Sequence, residues 1–472
     1  MAGNLATTPT YSLQPSAKQV ALPSNYITNF DFLNQYLPDV YEEEFERYGN
    51  RSVSSFLRLV GAELPFTSDM IKWTEQGRLH IKYVNVGTGA LVNDPTAEFT
   101  VNDALTGNMA IRKGQTLIIS QNDGSGSNKA IVTAANADLG KFTVAFYEAT
   151  GLVTAGTGAG NADVTVMIYG SEFQKGTVAM EGSLEAQTEI YENTPIIIKD
   201  HFEVAGSDMA QIGWVEVTDE LGDSGFLWYL KSAGETRLRF EDYMETSVVE
   251  AVPAEAGSGV IAITGAGVVG NKGSDGFFYS VENRGNVWSG GNPDTLSEFD
   301  AIVSRLDKQG AIEENVWFLN RDFSFDIDDM LAAQNSYGVG GTSWGLFDND
   351  KQMALNLGFD GFRRGYDFYK TDWKYLNEST MRGDLPSDNV NGVMVPAGTK
   401  TVYDQVLGKN AKRPFLHVRY RASETENRRM KTWSEGGAGG HTNTGTDKMD
   451  IHFLTERVLC TLGANNFFIA KD

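Results

Sequence analysis

The 472-residue sequence contains one cysteine, Cys460, so no disulfide can form within the chain. Cys460 lies in the apolar run VLCTLG, where its ordinary role is a buried small residue rather than a nucleophile. Cations are scarce: 39 Lys and Arg stand against 62 Asp and Glu, a formal net charge of −23. That balance excludes a phosphate-lined groove, which needs cations in excess, and equally an anionic membrane surface. It suits a protein that must avoid DNA, or one that pairs with a basic partner. No run approaches the roughly 20 apolar residues of a transmembrane helix. The opening MAGNLATTPTYSLQPSAKQ lacks the charged start and apolar core of a signal peptide, so the chain is expected to be cytoplasmic where it is made.

Catalytic signatures are missing too. The histidines are His80, His201, His417, His441 and His452, and no two stand at metal-ligand spacing. HExxH, CxxC and G-x-S-x-G do not occur. Gly156–Gly160 and Gly265–Gly270 are glycine-rich, and the second has the spacing G-x-G-x-x-G. No helical pattern follows it to offer a phosphate-binding N-terminus, so a turn is the plain reading. Asp348, Asp350 and Asp360 could hold a cation, although acids at turns need no such explanation. No enzyme, cofactor or metal is expected.

What is present is extended architecture. From Leu227 to Val249 apolar residues recur with roughly helical period, and Pro253 closes the pattern. Asp219, Glu220 and Asp223 crowd its start, where a helix dipole favours acids. The spacing predicts a spine helix of about 25 residues, or about 37 Å. Ser68–Val86 and Glu185–Ala205 alternate like strands, long and mixed in polarity on both faces. They read as a protruding hairpin. Between them Gly87–Gly170 is Gly/Ala/Thr/Val-rich and poor in charge, with short strands separated by turns, which predicts an inserted small barrel or sandwich.

Upstream, residues 1–51 read as an arm, and 52–67 as a short amphipathic helix with a lead-in. Tyr26, Phe30, Phe32, Tyr36 and Tyr41 lie among polar residues and need an outside surface to bury against. Downstream, Ala254–Ser274 reads as a loop around one apolar strand. Thr295 and Glu298 form a capping box for a helix ending at Gly310. A strand at Asn315–Asn320 and a second helix follow, the alternation of an α/β layer. Phe415–Arg421 is a strand, Arg428–Asp447 a Gly-rich loop, and Lys448–Ala470 closes the chain with paired strands. Arg363-Arg364 and Arg428-Arg429 are tight cationic pairs, read as donors of intermolecular salt bridges. A monomer could not bury these excursions, which favours a self-assembling structural protein.

The run FERYGNRSVSSFLRLVGAELPFTSDMIKWTEQGRLH (Phe45–His80) resembles the start of the major capsid proteins of crAss-like bacteriophages of gut Bacteroidales. It carries their acidic–aromatic opening, the segment RSVSSFL (Arg51–Leu57) and a D-x-x-x-W-x-E-x-G-R-L-H strand (Asp69–His80). The likeness is strongest there and loosest over the β insert. It implies an α+β Hong Kong 97-type (HK97-like) capsid fold: an N-arm at 1–51, an extended E-loop with strands in 68–86 and 185–205, and an inserted β domain at 87–170. A peripheral domain with the spine helix would take 206–294, an axial domain most of 295–410, and 411–472 would return to the peripheral domain. The function implied is a shell of hexamers and pentamers enclosing double-stranded DNA without specific binding, assembled in the host bacterial cytoplasm, with decoration proteins and a portal as partners and no membrane. The residues expected at assembly interfaces are Tyr26, Phe30, Phe32, Tyr36, Tyr41, Ile71, Trp73, Leu79, Ile81, Ile196, Ile198, Arg363 and Arg364. An encapsulin-like compartment, a tail component, or a carbohydrate-binding protein acting through the β insert are the other readings.

Overall fold

The computed structural model describes residues 52–57, 62–88, 95–101, 109–122, 124, 126–149, 164–185, 188–212, 216–218, 224–225, 228–264, 270–310, 312–335, 360–383, 385–404, 409–438 and 445–471. The expected arm, Asp219, Glu220, Asp223, Asp348, Asp350 and the glycine motifs at 156–160 and 265–269 lie outside them. The chain is mixed α and β and divides into two units. One takes in Lys199–Asp242 and Lys431–Leu454; the other takes in Val53–Ile198, Tyr243–Met430 and Thr455–Asp472.

The larger unit is built on a six-stranded sheet. Its order is Asn286–Ser289, Phe468–Lys471, Val390–Pro396, Glu314–Leu319, Tyr366–Asp372, Gly361–Arg364. Alternation along these strands feeds two cores. Phe318, Val393, Val395 and Ile469 face one. Trp317, Leu319, Met394, Phe468 and Ala470 face the other, under the helices Leu296–Gln309 and Arg321–Asn335. Burial on both faces explains why Val390–Pro396 is buried at every position. At Gly392 a Cβ would meet Leu319 Cδ2 at 2.5 Å and Phe323 Cδ1 at 3.0 Å, so glycine lets the second helix approach the sheet. The capping box is formed: Glu298 N–H donates to the Thr295 hydroxyl, and the Glu298 carboxylate accepts from Thr295 N–H at 3.1 Å. Glu298 is held below the usual carboxylate range by those donors from Thr295 and Asp294, which outweigh its partial desolvation. Gly310, at φ 132°, ends the helix in a backbone conformation that a side chain would strain.

The spine helix runs Trp228–Glu250, 23 residues, and stops short of Pro253. No acid lies in its first turn; the helix starts after the paired strands Val217–Thr218 and Ser224–Gly225, and the acids expected at its start lie outside the described residues. Its final turns hold the start of the described chain. The buried Glu245 carboxylate accepts the backbone N–H groups of Ser55 (3.1 Å), Phe56 (2.9 Å) and Leu57 (3.3 Å). This sets Phe56 between Trp373 (rings stacked at 4.5 Å), Phe318 (4.7 Å) and Phe277 (5.2 Å).

The insert is a closed six-stranded barrel in the order Lys82–Thr88, Thr96–Val101, Lys141–Phe146, Ser127–Asn136, Gln115–Gln121, Val164–Ser171. Val86, Leu117, Ile119, Val144, Val164 and Val166 fill it, with Phe99 and Phe142 stacked at 5.4 Å.

Several expectations are corrected. Ser68–Val86 is two strands parted at Gly77, and the second, Lys82–Thr88, belongs not to the hairpin but to the barrel, where it pairs with Val164–Ser171. Glu185–Ala205 is likewise Thr188–Asn193 and Ile196–Ala205, broken at Pro195, which has no N–H to give a ladder. The apolar run near Val260 is a helix, Gly259–Thr264; short apolar runs carry no period to tell the two apart, and the Ser258 hydroxyl accepts Ile261 N–H at its start. The Gly-rich loop contains a strand, Lys431–Glu435. The two C-terminal strands do not pair: Phe468–Lys471 joins the six-stranded sheet, whereas Lys448–Thr461 pairs with Leu416–Arg421 and Lys431–Glu435.

Two outcomes follow. Lys82–Ser171 expressed alone should give a dispersed amide spectrum, and Gly87–Gly170, which lacks most of the first strand, should not; a folded shorter fragment would refute the strand assignment. Glu245→Ala should lower stability by about 2–4 kcal/mol in a denaturant titration, because buried amides lose a charged acceptor.

Candidate assembly surface

Ile71–Gln76 and Thr188–Asn193 form a two-stranded antiparallel hairpin, with Trp73 opposite Tyr191. Isolated hairpins are marginal in water, so its attachment decides what it can do. Three devices fix one face of it to the body. Ile71 is buried with Phe66, Val458 and Cys460. The Arg284 guanidinium lies 4.4 Å from the Tyr191 ring centre and 5.7 Å from that of Trp73. Glu75 accepts both the Trp73 indole N–H and the backbone N–H of Gly463, each at 2.9 Å.

Asn193 closes the base and is buried. Its amide donates to the carbonyls of Asp275 (2.9 Å) and Leu459 (2.8 Å). Its oxygen accepts from Thr194 N–H (2.8 Å), the Ser274 hydroxyl (2.9 Å) and Asp275 N–H (2.8 Å). Both amide hydrogens and the oxygen are satisfied, which ties the strand to segments 82 and 266 positions away. Nothing in the sequence singled out Asn193, since its role depends on contacts distant in the chain. Asp275 beside it is pushed up from the ordinary carboxylate range by burial, partly opposed by Arg284.

The sequence-derived set therefore separates. Ile71 and Ile196 pack on the chain's own cores, and Trp73 on its own Arg284. The expectation that a neighbouring subunit buries Ile71 is corrected, since its own chain already does; Trp73 is half-buried against its own chain. Leu79 is 90% exposed and Ile81 42%. Ile198 is half-buried. Ile190 (66%) and Ile197 (54%) point to water from the hairpin strand and the next one. The exposed Val178, Leu184 and Ile263 were missed, the first two as single apolar residues in polar stretches and the third because its apolar run was read as a strand. Tyr26, Phe30, Phe32, Tyr36 and Tyr41 lie outside the described residues.

The arginine pairs are engaged within the chain. Arg364 Nη2 donates to Asp300 at 2.7 Å, and Arg363 meets Asp367 at 3.2 Å. Arg428 binds the buried Glu456 at 3.0 Å, and Arg429 pairs with Glu63. Asp300 is lowered from the ordinary carboxylate range by Arg364. Among the described residues no group of three His, Cys, Asp or Glu side chains could hold a metal, and no helix is long and apolar enough to cross a membrane. Where the strands Val390–Pro396 and Glu314–Leu319 meet Leu416, an apolar cavity of about 310 Å³ is lined by Val316, Phe318, Val395, Pro396 and Leu416, with Thr371 the one polar side chain in its wall.

Asn193→Ala should lower stability by about 2–4 kcal/mol and raise amide exchange at Thr188–Gln76 pairing positions ahead of the barrel; uniform exchange would show that Asn193 does not anchor the hairpin.

No protein-family model and no curated protein matches this sequence. Solved structures similar to it include the capsid of a native GTA particle (8% identity, 93% of this chain and 95% of that one, TM-score 0.37). Others are Microbacterium phage Oxtober96 (9%, 93% and 95%, TM-score 0.36) and the mature capsid of bacteriophage PhiM1 (9%, 64% and 78%, TM-score 0.34). At these values the similarity decides neither fold nor function, and the functional reading rests on the chain's own residues.

Proposed function

We propose that this chain is the major capsid protein of a tailed bacteriophage, of Hong Kong 97 type and crAss-like affinity, which builds hexamers and pentamers of an icosahedral shell around double-stranded DNA. The observation that carries the reading is the exposed apolar set on and around the hairpin. Leu79 is 90% exposed just beyond the hairpin strand, and Ile190 and Ile197 are 66% and 54% exposed on strands whose opposite faces pack on the body. A rigid base with an unburied apolar outer part is what repeated side-by-side contact requires. Burial of each such side chain by a neighbour contributes about 1.5–3 kcal/mol, and a closed shell repeats the contact many times.

The motif segments support the same reading. RSVSSFL delivers Phe56 to the central aromatic cluster, and the D-x-x-x-W-x-E-x-G-R-L-H run supplies the hairpin strand. A net charge of −23 keeps such subunits from condensing on DNA before closure. On this reading the hairpin is the inner part of the E-loop, Trp228–Glu250 the spine helix, and the six-stranded sheet most of the axial domain.

The purified wild-type chain should form shells by electron microscopy and particles by light scattering, and particles from infected cells should protect double-stranded DNA from nuclease. Leu79→Asp with Ile190→Asp should keep the wild-type melting profile, since exposed substitutions typically shift stability by less than about 0.5 kcal/mol, yet leave free capsomers. Ile71→Asp should instead unfold the chain. Normal shells from the double variant would remove the hairpin from the assembly contact.

A further inference from the structure

The turn Gly77–Ile81, which follows the hairpin strand, carries Arg78 beside the exposed Leu79. The Arg78 guanidinium donates to the backbone carbonyl of Lys308, in the last turn of the helix Leu296–Gln309. Arg305, one turn earlier on that helix, donates to the carbonyl of Val287 at 3.0 Å. Arg78, Arg305 and Lys308 are all exposed, and among the described residues none of them meets a carboxylate. Arg321, Arg364, Arg382 and Arg421 each bind one. The neighbouring Asp307 accepts from the Tyr366 hydroxyl instead, and Glu185, on the returning side of the hairpin, pairs with none of the three cations. A cation at a helix C-terminus complements the last carbonyls, which accounts for Arg78. It leaves the charges of Arg305 and Lys308, and the side chain of Leu79, in water.

The helix Arg321–Asn335 carries the complementary face. Phe323, Ile327, Met330 and Leu331 bury its inner side. Asp322, Phe325 and Asp329 recur at helical spacing on its outer side, all exposed, Phe325 by 54%. Neither Asp322 nor Asp329 has an ion pair among the described residues. Arg321 lies 5.9 Å from the centre of the Phe325 ring, but Asp372 already neutralises it. Within one chain the two faces are held apart. The strand Glu314–Leu319 runs from the end of the first helix to the start of the second, so Lys308 and Asp322 lie at its opposite ends, about 20 Å apart. Between copies the two faces can meet, and a contact between unlike faces of identical chains is head-to-tail, the kind that closes into rings. We propose that the turn Gly77–Ile81 of one copy docks on the outer face of the helix Arg321–Asn335 of a second copy. Leu79 then packs on Phe325, and Arg78, Arg305 and Lys308 face Asp322 and Asp329. The second copy follows from the self-assembly proposed above, on which this inference rests. DNA is the other anion the cations could take, and the overall charge disfavours it.

The test is charge reversal in the full-length chain, read as the assembled fraction by light scattering and electron microscopy. Arg78→Glu/Lys308→Glu should lower that fraction about tenfold, and so should Asp322→Lys/Asp329→Lys, because like charges then face each other. All four substitutions in one chain should restore assembly. Mixing the two variant proteins should restore it too, since each reversed face then meets a reversed face of opposite charge. Lys308→Glu with Asp329→Lys, two side chains without a hydrogen bond among the described residues, repeats the scheme where the larger reversals alter the circular dichroism. Loss of assembly that neither the combined chain nor the mixture restores overturns the proposal, as does wild-type assembly by either reversed variant. So does reversal of Arg78 and Lys308 that abolishes binding of a DNA duplex while assembly persists. In each of these cases normal wild-type shells leave the capsid reading standing; a wild type that never assembles sinks both.

Discussion

The contact on which the larger unit depends is that between the Glu245 carboxylate and the amides of Ser55, Phe56 and Leu57. Amides at the start of a helical turn have no partner within it, and burying them unpaired costs more than most packing contacts return. A carboxylate from the long helix, about 190 positions further along, removes that penalty and fixes the direction in which the chain enters the core. Phe56 then has one place to go, among Phe277, Phe318 and Trp373, each from a different element. The end of the long helix, the six-stranded sheet and the segment after Tyr366–Asp372 are joined through one ring.

Charge is handled by the same logic of local satisfaction. Glu456 is buried because Arg421 and Arg428 both reach it, and Arg457 because it reaches Glu63. Tyr375 and Arg382 converge on Glu250, which with burial pushes the Tyr375 hydroxyl well above its ordinary range. Buried pairs of this kind fix geometry more than they add stability, since desolvation offsets much of the attraction.

Much of this was legible in the sequence, for identifiable reasons. The capping helix, the spine and the barrel each carry a local signal: a box, a period, or short strands between turns. The glycine-bounded compositional shift placed the insert, but missed its first strand because Lys82–Val86 shares the alternation of the hairpin strand before it. Asn193, Glu245 and the division of the hairpin into a fixed face and an open one were not legible, because each depends on residues far apart in the chain. Ile71 and Leu79 look alike in sequence; one is 6% exposed and the other 90%. Only the path of the chain between them, through a turn at Gly77, separates core from surface.

The barrel's first and last strands, Lys82–Thr88 and Val164–Ser171, are hydrogen-bonded neighbours, with Lys82 opposite Met167. The chain therefore leaves and re-enters the hairpin at almost the same point. Whatever lies between those two positions is a cassette, whose size the hairpin does not constrain. A bare turn, a larger lobe or a foreign domain with adjacent termini could occupy the same gap without altering the geometry of the hairpin beneath it. The contacts that fix the hairpin thus place no demand on what is inserted beyond it.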